Sequence, residues 1–173
     1  AHPPPERQFS WPVSTEVRTV ALAAEARAIG LLRANGAFSL IDTATWQEQL
    51  ARPLLIPLTN ALRLAIDPHA TCVVASTDAG PLRTWELPDG TEVAAFVGHT
   101  GRLEALAFSE DGRWLASAGA DHTLRLWQVG TRQQAAQFPQ EHERVTSVVW
   151  SPDANLLGVT FNDDELEIWE RAT

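Results

Sequence analysis

Apolar and polar residues alternate with a period of two in short runs separated by turn-forming residues, a pattern that predicts β-strands and not helices. The stretch from Gly98 to Phe138 shows it most plainly. Leu103 to Phe108 reads as one strand and Ser109-Glu110-Asp111-Gly112 as a hairpin turn, with the acidic residues and glycine such a turn favours. Trp114 to Ala118 is the next strand, Asp121-His122-Thr123 turns the chain again, Leu124 to Gln128 is a third strand and Gln133 to Phe138 a fourth.

This four-strand unit recurs. Phe38-Ser39-Leu40-Ile41-Asp42, Leu82-Arg83-Thr84-Trp85-Glu86, Leu124-Arg125-Leu126-Trp127-Gln128 and Leu166-Glu167-Ile168-Trp169-Glu170 are four versions of one apolar run. Trp85, Trp127 and Trp169 follow one another at 42 residues, and Ile41 stands 44 before Trp85. A fixed period of this size is the mark of a repeat architecture. The fourth unit predicts strands at Val145 to Trp150, Leu156 to Phe161 and Leu166 to Trp169, with a turn at Ser151-Pro152-Asp153-Ala154. The second predicts Leu62 to Ile66, Thr71 to Ser76, Leu82 to Trp85 and Glu92 to Val97, with a turn at Asp67-Pro68-His69-Ala70. The turns keep step with the strands, since Asp67, Ser109 and Ser151 are also 42 residues apart.

These units resemble the WD40 repeat, whose members build propeller blades of four strands. The best match is residues 98–138, which carry Gly98-His99 at the start, Leu115-Ala116-Ser117-Ala118-Gly119 on the second strand, then Asp121 and Leu126-Trp127. The closing Trp-Asp pair of the family is degenerate, reading Trp85-Glu86, Trp127-Gln128 and Trp169-Glu170, with Asp kept only at Ile41-Asp42. The resemblance implies an all-β, WD40-type β-propeller segment of four four-stranded blades, at about 17–57, 58–97, 98–138 and 139–173, preceded by a Pro-rich segment at 1–16. Four blades make a half or partial ring, completed by a second copy or by further blades.

His99, Ser117 and Asp121 are the parts of acyl-transfer chemistry, so a hydrolase is the remote alternative. The resemblance implies a structural role instead: Asp fixes His, His bonds Ser, and Ser bonds the indole of Trp127. The physical reason is that a buried indole, imidazole or hydroxyl costs ~1–3 kcal/mol if left unpaired. No strained Gly-x-Ser-x-Gly turn surrounds Ser117. The fourth unit keeps His142, Asp163 and Trp169 but has Val159 where the serine belongs, so its chain of bonds lacks a link. The same resemblance places Arg102, Ala120, Arg144 and Asn162 on the loop face that such propellers offer to protein or peptide partners. Two arginines at equivalent positions of adjacent units suit a carboxylate or a phosphate.

Composition narrows the field. The 173 residues carry 22 acids against 13 bases, all of them arginine, for a net charge of −9. With no basic cluster, neither nucleic acid nor an anionic membrane is an expected partner. No apolar run approaches the ~18 residues of a spanning helix, and Ala1 to Phe9 lack the features of a secretory signal. The single cysteine, Cys72, excludes an internal disulfide and a cysteine zinc site; it reads as buried filler in a reducing, cytoplasmic setting. The acidic run Asp163-Asp164-Glu165 lacks the alternate spacing of a calcium loop, so no metal and no cofactor is expected. Trp11 and Trp46 fall outside the repeat's fixed positions and are candidates for a partner surface.

The last unit stops after its third strand, and Arg7 to Val13, beyond the Pro3-Pro4-Pro5 spacer, is a candidate closing strand for it. The reading of function is a non-enzymatic protein-interaction scaffold, acting as a homodimer or within a larger complex. The alternative is a regulatory propeller appended to a catalytic domain.

Overall fold

Each strand finds its antiparallel partner in the neighbouring segment of chain, as short alternating runs joined by tight turns require. The computed structural model describes residues 16–23, 25–50, 53–56, 63–76, 81–140, 144–162 and 164–171. The first sheet orders β1 (Val17–Ala23), β2 (Ala28–Arg33), β3 (Ala37–Asp42) and β4 (Leu54–Leu55). The second orders β5 (Leu64–Ile66), β6 (Cys72–Ala75), β7 (Leu82–Glu86) and β8 (Thr91–Phe96). The third contains β9 (Leu103–Phe108), β10 (Trp114–Gly119), β11 (Thr123–Gln128) and β12 (Gln133–Pro139). Among the described residues the fourth has three strands, β13 (Val145–Trp150), β14 (Leu156–Phe161) and β15 (Leu166–Glu170). The candidate closing strand Arg7 to Val13 lies outside the described residues, as do Leu62 and Trp11. The first sheet's outer strand has two residues; Pro53 directly precedes it, and proline cannot donate to a ladder.

The sheets follow one another like the blades of a four-bladed propeller. The first strand of each, β1, β5, β9 and β13, borders one central cleft lined by Val20, Ala65, Ala107 and Val149. Three apolar cores join the sheets in series. Leu32, Phe38 and Leu40 of the first pack on Ile66, Val73 and Trp85 of the second. Cys72, Val74, Leu82 and Phe96 of the second pack on Leu103, Leu115 and Trp127 of the third. Ala116, Leu124 and Leu126 of the third meet Val148, Leu157, Val159 and Phe161 of the fourth. Each sheet is therefore stabilised by its neighbour more than by itself, as in other repeat architectures.

The first and fourth sheets each carry open apolar side chains, those of the first at the edge of the central cleft. On the first sheet Val20 and Leu22 are 53% and 70% exposed, and on the fourth Leu166 and Ile168 are each 61% exposed. Val20 and Leu22 stand 44 residues before Leu64 and Ile66, which pack on the preceding sheet. Leu166 and Ile168 stand 42 residues after Leu124 and Leu126, which pack on the following sheet. The open side chains thus stand at repeat positions that pack against a neighbouring sheet inside the chain.

The repeat also fixes local geometry. In the hairpins between the first and second strands, the backbone N–H of Cys72 donates to Asp67 Oδ1 at 2.6 Å, that of Trp114 to Ser109 Oγ at 3.0 Å and that of Leu156 to Ser151 Oγ at 2.9 Å. Ala70, Gly112 and Ala154, again 42 apart, all take positive φ. The inner strands share a β-bulge. The β1–β2 register skips Arg18, the β9–β10 register skips Glu104, and the β13–β14 register skips Thr146, so one extra residue is re-aimed at the same place in the first, third and fourth sheets. Among the described residues no helix is long and apolar enough to cross a membrane.

Candidate functional site

Two clusters of polar side chains lie at the loop end of the third sheet. The first is a closed chain of hydrogen bonds. The Trp127 indole N–H donates to Ser117 Oγ at 2.7 Å, Ser117 Oγ meets His99 Nε2 at 2.7 Å, and His99 Nδ1 lies 2.9 Å from Asp121 Oδ2. Asp121 also accepts the backbone N–H of Thr100 at 3.0 Å and the Thr123 hydroxyl at 2.8 Å. One proton arrangement satisfies every atom: a neutral imidazole donates from Nδ1 to the carboxylate and accepts the serine hydroxyl at Nε2, while the serine oxygen accepts the indole. Ser117 is 0% exposed. Gly98 gives this chain its room, because a Cβ there would stand 2.9 Å from the Trp127 ring and run into the Arg125 guanidinium.

Burial of the His99 ring outweighs the adjacent Asp121 carboxylate and holds the imidazole below its ordinary range. Burial opposes ionisation of Asp121 as well, but the hydrogen bonds from Thr100 and Thr123 and the nearby His99 hold its carboxyl below the usual value. An unfolded chain takes up a proton on His99 as pH falls through about 6.5, whereas the folded one does so only lower. The stability linked to His99 is therefore complete above that value and declines as pH falls toward the folded-state pKa. The melting temperature is expected to fall between pH 6.5 and 5, and His99→Gln is expected to flatten that part of the curve, as a thermal melt across pH will show.

In the fourth sheet the sequence pattern breaks and the contacts change with it. Val159 is fully buried where the third sheet has Ser117, and the Trp169 indole donates to Glu167 Oε2 at 2.9 Å. Its ring packs against Phe138 of the third sheet at 4.8 Å between centroids. His142 and Asp163 lie outside the described residues.

The second cluster is built by the bulge at Glu104. That carboxylate is 5% exposed, yet it sits on an inner strand between apolar neighbours. Arg102 donates to its Oε1 at 2.7 Å, Arg144 to its Oε2 at 2.8 Å, and Arg63 donates to its backbone carbonyl at 2.6 Å with a guanidinium nitrogen 3.8 Å from Oε2. Burial opposes ionisation of Glu104, and the hydrogen bonds from Arg102 and Arg144 overcome it and hold the carboxyl below its usual range. The Arg102 and Arg144 side chains remain 47% and 50% exposed. Together with Gly119, Ala120, His122, Gln140 and Val145 they line a cavity of about 180 Å³ between the third and fourth sheets.

Of the four residues the sequence places on the partner face, Arg102, Ala120 and Arg144 line this cavity. Asn162 is exposed on the adjoining loop and is not among its lining residues; its N–H donates to the Arg144 carbonyl at 3.0 Å, as that of Ala120 does to Arg102 at 2.7 Å. The two arginines do grip a carboxylate, but one belonging to the chain itself. Glu104 and Gln140 escaped the sequence reading, and the only signal for the former was an acidic residue inside the apolar run Leu103 to Phe108.

The remaining candidates have structural surroundings. The Cys72 thiol is buried, and desolvation and the nearby Asp67 carboxylate push it up to about 12, which suppresses thiolate chemistry. The Trp150 indole donates to the Ala107 carbonyl at 3.1 Å, tying the fourth sheet to the third, and Arg171 stacks over Trp114 at 5.1 Å. Trp46 is half-buried in the turn after β3.

Comparison with known proteins agrees with the repeat. The family model of the WD domain, G-beta repeat (WD40), matches residues 90–128 and 133–170. Each match begins at an outer strand, β8 or β12, and ends with the third strand of the next sheet, so the sequence repeat is offset from the sheet by one strand and links neighbours covalently. Pre-mRNA-processing factor 19 homolog 2 of Arabidopsis thaliana is 35% identical over 57 residues, covering 33% of this chain and 11% of that protein. Residues 90–128 and 133–170 thus match the WD40 repeat, within a chain whose four sheets take a β-propeller arrangement.

Proposed function

We propose that this chain is a non-enzymatic protein-interaction scaffold that receives a protein or peptide partner on the loop face around Arg102, Ala120, Arg144 and Asn162. The observation that carries the reading is the meeting of Arg102 and Arg144, one full repeat apart, at a single cavity where each keeps about half its side chain open to solvent. A rigid sheet framework holding exposed, rotamer-fixed arginines suits recognition, because little freedom is lost on binding. The hydrolase alternative finds no support in the geometry, since the Ser117 hydroxyl is buried and engaged with both His99 and Trp127. Substituting Arg102 and Arg144 together by alanine, in the assembly purified with its partners, is expected to abolish cross-links between the partner and the loops around residues 99–102 and 120–123; the melting temperature is expected to fall, because buried Glu104 loses both partners, so the comparison is made well below the variant's own transition. Cross-linking mass spectrometry makes the comparison, and undiminished cross-links there would move the interface elsewhere.

The open side chains favour a second element of the same reading. Because Val20 and Leu22 on one side, and Leu166 and Ile168 on the other, repeat the buried positions of the internal interfaces, further sheets of the same kind are the partners they fit, from a second copy or from a larger complex. Light scattering is expected to give a mass of at least twice 18.9 kDa, reduced to that of the single chain by Ile168→Asp.

A further inference from the structure

We propose that the cavity between the third and fourth sheets is a specificity site for one acidic side chain of a peptide, its carboxylate taken by Arg102 and Arg144 and a peptide N–H taken by Gln140. This rests on the protein-binding reading above and adds the chemistry of the ligand.

Three observations converge on it. The first is charge. Three guanidinium groups, from Arg63, Arg102 and Arg144, surround the single carboxylate of Glu104. Arg102 uses Nε and one terminal nitrogen on Glu104 Oε1, and Arg144 uses one terminal nitrogen on Oε2, out of five N–H donors that each guanidinium carries. The cluster retains positive charge and donors beyond what Glu104 takes, in a chain whose net charge is −9. Selection for an acid is therefore made at contact and not by the long-range field, which repels one.

The second is an orphan acceptor. Gln140 lines the same cavity, is 9% exposed, and its Oε1 has no hydrogen-bond partner among the described residues. Its backbone is pinned, with N–H donating to the His122 carbonyl at 2.8 Å. Buried amide oxygens are normally satisfied, so this one points to a donor that arrives with a ligand. A bare oxyanion brings no N–H of that kind, whereas every peptide does.

The third is size and rigidity. About 180 Å³ lies below the ~300 Å³ from which sites for whole small molecules begin, and it suits a single side chain. The wall at Gly119 is close-set, since a Cβ there would press on Asp121 and His99 at 3.1 Å, and the bulge places Glu104 against the arginines. Glu104 is a positioning residue here, setting the two forks and leaving their remaining donors for the ligand.

The test is a titration of the intact, ¹⁵N-labelled chain with N-acetyl-glutamate N′-methylamide, with its glutamine counterpart, and with inorganic phosphate, at equal ionic strength. The glutamate compound is expected to shift the backbone signals of Gly119, Ala120, Gln140 and Val145 along a saturable curve, roughly tenfold more tightly than the glutamine compound, the usual worth of one charge-assisted pair. Arg144→Ala and Gln140→Leu, each checked by an unchanged melting curve, are both expected to lose about that factor. Equal binding of the two compounds, or no shifts, would overturn the proposal. Phosphate binding as tightly, with Gln140→Leu indifferent to it, would overturn it in favour of an oxyanion site with no peptide component. The two levels separate cleanly. If the glutamate compound fails while partner cross-links still depend on Arg102 and Arg144, the acidic ligand falls and the docking face stands. If the compound binds while those cross-links persist in the arginine variants, the docking face falls and the acid site stands.

Discussion

Ser117→Ala is expected to lower the melting temperature by roughly 6–12 °C, a large effect for the loss of one oxygen. The serine oxygen joins two groups that have no other way to be satisfied, the Trp127 indole N–H and His99 Nε2, both within 2.7 Å of it. Trp127 and His99 are buried, so water cannot replace the hydroxyl without opening the sheet. Leaving two buried polar groups unpaired costs about 3 kcal/mol, and for a chain of this length each kcal/mol corresponds to ~2–4 °C. The packing itself barely changes, since only one small atom is removed from the core. Calorimetry on the variant and on Ser117→Thr, which restores an oxygen, separates hydrogen bonding from volume. A melting temperature for Ser117→Ala equal to that of the parent would mean that the chain of bonds is ornamental. The same chain holds the Ser117 hydroxyl fully buried, with the Trp127 indole donating to its oxygen as well as His99 meeting it.

Strand positions were legible in the sequence because side chains alternate across a sheet with a period of two, and only one register buries the apolar set. Val145 to Trp150 and Leu156 to Phe161 were read to the residue for this reason. Turns were legible where a short oxygen-bearing side chain opens each hairpin, as Asp67, Ser109 and Ser151 do. The bulge was not. An extra residue in a ladder leaves no compositional trace, and by alternation alone Glu104 reads as a polar residue on a solvated face. Its true place, under two arginines from successive repeats, depends on the third and fourth sheets lying side by side. The sequence reading placed Arg102 and Arg144 together by repeat arithmetic, and it left their shared counter-ion unseen because that residue belongs to no repeat position: the equivalent bulge residues are Arg18 and Thr146. The orphan amide of Gln140 was invisible for a related reason, since an unmet hydrogen bond is a property of surroundings and not of a residue type. The fate of the Trp169 indole was half legible. Val159 announced that the usual acceptor was gone, but that Glu167, two residues upstream on the same face of β15, replaces it is seen only in the contact itself.

Leu103→Ala carries the other large expected effect, because this residue couples the core to the cavity. It lies at the start of β9 between Arg102 and Glu104, 1% exposed, in the apolar core that the second and third sheets share. Truncating a buried leucine costs ~2–5 kcal/mol, from lost transfer energy and from the space left behind. The sheets have no separate cores, so the loss is expected to appear as one cooperative urea transition at lower midpoint, with the slope unchanged and all tryptophans reporting together. Val97→Ala, at a site 73% exposed, is the matched control and is expected to stay within ~0.5 kcal/mol of the parent. A second consequence is local. Leu103 pairs with Gly119, which lines the cavity, and it anchors the bulge that aims Glu104. Loosening that anchor frees Glu104 to swing with the space behind it, so under native conditions the signals of Gly119 and Ala120 are expected to broaden in the variant while those of Trp85 and its sheet stay sharp. Broadening confined to the second sheet would instead show that β9 is held from the fourth sheet alone, through Arg144, and that the cavity owes its shape to charge and not to the core beneath it.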